Sequence, residues 1–184
     1  MTTDVFVRTT SRDRPLRAEM RELCMARWRL EPARVLDIVD WGISEGREYA
    51  EREAQTDPYI FCDDDVVIMG RNWVERATGI LLRNTEYGAV STLSMIEGEN
   101  QAIAPDDGVE IYPMHAVGAP MLIRKGLMTN LPEMDLNSEC GVIHKYLLDL
   151  GYKEGLVWGG PGNRLRHMHL GNSFSSNPIL HWGY

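Results

Sequence analysis

Cysteine is scarce in this sequence: Cys24, Cys62 and Cys140 are an odd number, widely spaced and without a CxxC. That argues against a disulfide framework or a structural zinc site and fits a reducing compartment. Long apolar runs are lacking too, the longest aliphatic stretches being about five residues against the ~20 that a bilayer-spanning helix needs. No basic–apolar–small pattern opens the chain, so no signal peptide and no membrane partner are expected, and a cytoplasmic location is. A basic excess is missing as well: 19 Lys and Arg face 27 Asp and Glu, a net charge of −8. Such a balance argues against a broad phosphate-tracking surface. Local basic clusters remain, at Arg12, Arg14 and Arg17 and at Arg164, Arg166 and His167. Three familiar loops are absent: GxxxxGK[ST], GxGxxG and GxSxG.

What is present is ordinary for a folded domain, with 43% apolar and 25% charged residues over 184 positions. That length predicts one domain with a full core. Asp4–Thr10 (DVFVRTT) and Val35–Val39 read as strands, and Tyr59–Cys62 and Tyr87–Leu93 as two more. Short apolar runs of this kind suit buried parallel strands. Between them, Leu16, Met20, Leu23 and Cys24 recur at helical spacing, as do Trp73, Ala77, Ile80 and Leu81. Ser44–Gln55 is polar and helical, with Ser44 as its expected cap. Ala119–Ile123 is a further strand. Ile143, Tyr146, Leu147 and Leu150 mark a last helix that Gly151 stops. Residues 97–109 lack periodicity and form a long functional loop. The tail from Trp158 is rich in Gly, Asn, Ser and His, and Gly159-Gly160-Pro161-Gly162 reads as a flexible loop. The alternation of strand and helix predicts an α/β fold: one domain, a mostly parallel central sheet, and helices on both faces.

In such sheets ligands bind beyond the carboxyl ends of the strands. Asp40 and the run Asp63-Asp64-Asp65 both fall at predicted strand ends. Asp63 and Asp65 are two apart and share a face in extended geometry. Two carboxylates ~6–7 Å apart repel by roughly 2–3 kcal/mol at an effective dielectric near 20. Solvation, protonation or a cation relieves that repulsion. Mg²⁺ and Mn²⁺ take such oxygen ligands and keep positions open for substrate phosphates. His167 and His169 also lie two apart, and a neutral imidazole is a good further ligand. His115, His144 and His181 lack partners in sequence, and His144 reads as a surface residue.

The run YIFCDDDV, an apolar strand ending in acid before Val66-Val67 and a helix near Trp73, resembles the DxD region of GT-A glycosyltransferases. The likeness is to the family-2-like inverting enzymes in particular. It extends along the chain. DVFVRTTSRDRP is similar to the opening strand and loop that hold the nucleotide, which implies contacts from Thr9 and Arg12. VLDIVDWGIS matches the second strand, with Asp40 on the nucleoside. Gly46-Arg47 and Arg52-Glu53-Ala54 resemble the segment that closes on the nucleotide. VGAPMLIRKGLM resembles the strand beside the donor sugar, with Gly118 and Ala119 nearest to it. SECGVIHKYLLDLGYK resembles the helix that begins with the catalytic acid, and RHMHLGNSFS the late strand with a metal-binding His.

The resemblance implies a metal-dependent transferase that moves a sugar from a nucleotide-sugar, UDP-linked by family habit, to an acceptor hydroxyl with inversion. Asp63 and Asp65 would hold Mn²⁺ or Mg²⁺ with His169 or His167, and Asp64 would face the nucleotide. Residues 1–95 would form the nucleotide-binding half and 96–184 the acceptor half. The family has Glu-Asp at the start of the last helix, where this chain has Glu139-Cys140. The general base is then Glu139 or Asp135. The acceptor stays open between a glycan, a protein and a hydroxymethylated DNA base, the last two fitting a phage-encoded enzyme. The alternative is a nucleotide-sugar-binding module without turnover.

Overall fold

The computed structural model describes residues 2–9, 15–39, 42–70, 72–95, 109–115, 117–134, 139–157 and 165–169. In chain order the elements are β1 (Thr3–Thr9), α1 (Pro15–Trp28), β2 (Ala33–Val39), α2 (Ile43–Glu53), β3 (Tyr59–Asp63), β4 (Val66–Met69) and α3 (Trp73–Arg83). They continue as β5 (Tyr87–Met95), β6 (Ile111–Met114), β7 (Met121–Ile123), α4 (Glu139–Asp149), β8 (Lys153–Val157) and β9 (Arg166–His169).

Seven strands form one sheet in the order β2-β1-β3-β7-β5-β8-β6. β2, β1 and β3 are mutually parallel, and so are β5 and β8. β7 runs against both β3 and β5, and β6 against β8. The sheet is therefore mostly parallel with two reversed strands. β4 and β9 pair antiparallel, and β9 also lies parallel to the far end of β5. These three build a second, smaller sheet at the carboxyl end of the first.

Strand alternation sends each β-residue to one of two cores. Val5, Val7, Ile60 and Cys62 pack with Cys24 and Trp28 of α1 and with Trp73, Ala77 and Leu81 of α3. Phe6, Tyr59 and Phe61 pack on the other face with Ile43 and Ala50 of α2 and Ile143 and Leu147 of α4. Helices thus cover both faces. Among the described residues no helix is long and apolar enough to cross a membrane.

Several local expectations need correction. Leu23 is 50% exposed, because the buried stripe of α1 runs through Met20, Cys24, Met25 and Trp28. Leu150 is exposed as well, since α4 ends at Asp149 and Gly151 turns the chain at φ +85°. Ser44 does not cap α2. Gly42 stands at the cap, its N–H donating to Glu45 Oε2 at 3.2 Å, while Ser44 Oγ accepts the Met134 N–H at 3.0 Å. Strands β4, β6 and β8 were not expected from the sequence. Asp40, Arg12, Asp135, residues 97–108 and the tail beyond His169 lie outside the described residues.

Candidate functional site at the carboxyl ends of β1 and β3

Arg8 and Asp63 are register partners on adjacent parallel strands. Both point to the α2/α4 face, two residues beyond Phe6 and Phe61. Arg8 Nη2 donates to Asp63 Oδ1 at 2.9 Å, with the arginine side chain 4% exposed and the aspartate 30%. Nothing in the run DVFVRTT marked Arg8 as more than strand filler, so the sequence reading missed it. The turn then carries Asp64 and Asp65, both buried, into β4. Burying carboxylates is costly unless positive charge or donors face them. The field of Asp64 reaches the Arg21 guanidinium on α1.

Thr9 points the other way, toward α1. Its hydroxyl donates to Asp37 Oδ1 at 2.9 Å and accepts from Arg21 Nε at 3.1 Å, and Arg21 also pairs with Asp37. That bond to Asp37 is the main reason the Arg21 guanidinium holds its proton more tightly than usual. Asp37 and Arg21 were likewise not foreseen.

Arg47 of α2 is 3% exposed and sits over the Phe61 ring, 4.2 Å from its centroid. Its Nε donates to Glu139 Oε1 at 2.6 Å, and a second guanidinium nitrogen meets the same oxygen. The structure thus brings Arg47 to the first turn of α4, beside the sheet residue two before Asp63. Arg52 is not brought there. It lies at the other end of α2, exposed, paired with Glu53 and stacked on Tyr49. Glu53 is beside the start of β1, since Arg34 bridges its carbonyl and Asp4.

β7 explains how Gly118 and Ala119 reach the site. Because β7 is reversed, its first residue, Met121, pairs with Phe61 near the carboxyl end of β3. The lead-in 117–120 therefore enters from the Asp63 side. Gly118 is exposed with open space where a Cβ would stand, and Ala119 is buried.

The two late histidines differ. His167 is buried, opposite Ile68, and its Nδ1 shares a 3.0 Å hydrogen bond with Thr92 Oγ1. His169 pairs through its backbone with Val66, the residue after Asp65. Register thus sets His169 at the acidic turn and His167 one pleat away. Among the described residues no three His, Cys, Asp or Glu side chains gather into a protein-only metal cage. Cations that serve phosphate groups are commonly held by one or two carboxylates plus the substrate's own oxygens. Asp63, 30% exposed and paired with Arg8 through Oδ1, and Asp65, buried in the turn that follows, are the carboxylates of that kind here.

Cys140 follows Glu139, and burial first, then Glu139, pushes its thiol above the usual range. Asp63 and Glu154 add to that push while Arg47 opposes it, so all five groups share one electrostatic neighbourhood. His144, one turn further along α4, is no surface residue. Its Nδ1 lies 2.7 Å from Glu154 Oε2, and the His115 ring meets it edge-on at 5.8 Å.

The chain is a single GT-A-like α/β domain. No family profile and no curated protein matches its sequence. Its fold is similar to S. aureus TarS 1-349 in complex with UDP-GlcNAc, with TM-score 0.58 and 11% identity over 97% of this chain and 62% of that one. It thus spans about three fifths of that structure's length. The inositol-1-phosphate CTP transferase from T. maritima is similar at TM-score 0.55 and 10% identity, over 91% of this chain and 89% of that one. A197 from STIV is similar at TM-score 0.51 and 12% identity, over 99% and 100%. At such identities these likenesses establish the fold alone.

Proposed function

We propose that this chain is a family-2-like, metal-dependent glycosyltransferase that moves a sugar from a UDP-linked nucleotide-sugar to an acceptor hydroxyl with inversion. The carrying observation is that Asp63, at the end of β3, and Glu139, at the start of α4, both act on the Cys140 thiol, while Arg47 rests on Phe61 and pairs with Glu139. The likeness to a UDP-GlcNAc-bound structure across nearly the whole chain supports the donor class.

In this reading Asp63 and Asp65 would hold Mn²⁺ or Mg²⁺ together with His169 or His167, and Asp64 would face the nucleotide. A cation held there would neutralise charge on the departing diphosphate. Asp40 and Arg12 grip the nucleoside and phosphates. Gly118, with no side chain, lets the sugar approach the backbone beside Ala119. Arg47 fixes Glu139 through Oε1, leaving Oε2 for the acceptor. That oxygen takes the hydroxyl proton as the acceptor oxygen bonds to the anomeric carbon. The bond from that carbon to the diphosphate breaks on the opposite face, and UDP leaves. Asp135 is the second candidate for the base. The acceptor is a glycan, a protein or a hydroxymethylated DNA base.

The test is a thermal-shift panel of UDP-sugars with Mn²⁺ and again with chelator, followed by UDP-release kinetics. One donor should raise Tm only with metal, and Asp65→Ala should abolish that rise. UDP release should fall at least 100-fold in Glu139→Gln, in line with the usual worth of a general base. A metal-independent rise would sink the cation assignment. The substitution of Cys140 for the expected Asp favours a second reading, a nucleotide-sugar-binding module. Donor binding without turnover, indifferent to Glu139→Gln, would establish it. Release of pyrophosphate from a nucleoside triphosphate would instead indicate nucleotidyl transfer.

A further inference from the structure

Glu154 is a buried carboxylate that the proposed chemistry does not use. It stands on β8, facing α4, with its side chain wholly buried. Its Oε2 is 2.7 Å from His144 Nδ1, whereas Oε1 has no hydrogen-bond partner. A buried polar oxygen left unpaired is costly. The backbone N–H of Val117 already donates toward this carboxylate and favours its ionised form. The position of Val117 is the telling point. β6 ends with Met114 opposite Glu154, and β7 begins with Met121 opposite Phe61. Residues 117–120 therefore lead from Glu154 to the carboxyl end of β3 and carry Gly118 and Ala119 there.

We propose that Glu154 and His144 are a positioning pair for the 117–120 lead-in: when Glu154 ionises, its hold on the Val117 N–H strengthens and fixes Gly118 and Ala119 against the donor sugar. The donor part of this inference rests on the glycosyltransferase reading; the strengthening at Val117 does not. Burial lifts the Glu154 carboxyl to about 7, and His144, the Val117 amide and Arg47 pull it back. The change of state thus falls near neutral pH. Among the described residues the His115 ring meets His144, Arg47 on α2 acts on Glu154, and Glu154 in turn acts on Cys140 of α4, where Glu139 and Asp63 also act. An ionised carboxylate accepts a hydrogen bond about twice as strongly as a neutral one, which is the difference the pair exploits. Glu154 touches neither donor nor acceptor in this scheme.

The test follows the Val117 amide by hydrogen exchange between about pH 6 and about pH 8, corrected for the intrinsic rise in exchange with pH. Protection should increase about tenfold across that window in the wild type, the factor one charge-assisted hydrogen bond supplies. Glu154→Gln should flatten the profile, and His144→Gln should move its midpoint to higher pH by removing a group that favours the ionised form. A flat wild-type profile, or an unchanged rise in Glu154→Gln, overturns the proposal. If Glu154→Gln does not fold, the wild type and His144→Gln still decide, because an immobile midpoint in His144→Gln also overturns it. The KM for UDP-GlcNAc should follow the same midpoint while kcat does not. A pH-dependent Val117 with no binding of any UDP-sugar keeps the pair and removes the glycosyltransferase reading. Turnover with a flat Val117 profile does the reverse.

Discussion

Arg47 Nε lies 2.6 Å from Glu139 Oε1, across 92 positions of sequence, and the same guanidinium rests on the Phe61 ring. One buried cation therefore ties α2 to the first turn of α4 and to the strand that ends in Asp63.

Breaking that pair should be severe. Removing one partner of a buried ion pair typically costs about 3–5 kcal/mol, because the other charge is stranded. Arg47→Met should lower stability by about that amount in urea titrations. Glu139→Gln keeps a hydrogen-bond acceptor and should cost less. A double-mutant cycle should give a coupling above about 1 kcal/mol, and additivity would show that the contact carries no energy.

Asp63→Asn removes a half-exposed carboxylate but strands Arg8, which is buried. A stability loss of roughly 1–3 kcal/mol is expected. In the same variant the metal-dependent donor shift should disappear. Arg8→Met should restore part of the stability of Asp63→Asn but none of the donor shift, measurable in one thermal-shift series.

Glu154 makes stability depend on pH in a direction opposite to most carboxylates. In the folded protein burial pushes its carboxyl up to about 7 from the usual 4.5, so the folded state binds more protons between these limits. The contribution is present in full below about 4.5 and is lost as pH rises through 7, a change of up to about 3 kcal/mol. Tm of the wild type relative to Glu154→Gln should therefore fall from mildly acid to mildly alkaline pH. A constant difference between the two curves would refute the assignment.

Two glycines should respond oppositely to alanine. At Gly155 a Cβ would stand 2.2 Å from Ile111 Cγ2 and 2.7 Å from Tyr87 Cε1. Gly155→Ala should lose about 1–3 kcal/mol, the usual penalty of overpacking. Gly118 has nothing within 4 Å of that position. Gly118→Ala should leave Tm unchanged and raise the KM for the donor sugar. An unaffected KM would remove Gly118 from the donor site.

Much of the fold was written in local pattern. DVFVRTT, VLDIV and YIFC are apolar enough to declare themselves as buried strands, and the stripe from Trp73 to Leu81 declares its helix. β6 and β8 were hidden because Pro113 interrupts one and Lys153-Glu154-Gly155 opens the other with polar residues. β4 was hidden because its four residues follow directly on the acidic turn. Leu23 misled because helical spacing alone does not say which neighbouring stripe faces the sheet. In the site, three successive aspartates were conspicuous, but their counter-charge was not. Arg8 lies 55 positions before Asp63 and meets it only through parallel pairing. His144 looked solitary because its partner arrives ten residues later, after the turn into β8. Arg47 was noticed for the nucleotide, whereas the packing of α2 against α4 commits it to Glu139.

The reversed course of β7 bears on how such a scaffold can diversify. The peptide feeding it reaches the carboxyl end of β3 without contributing a rung to any strand ladder, but Val117 and Ala119 are buried, which leaves Gly118 as its open position. A side chain can therefore be introduced at Gly118 at little expense to folding, whereas the rung-forming Phe61 and Met121 have no such latitude.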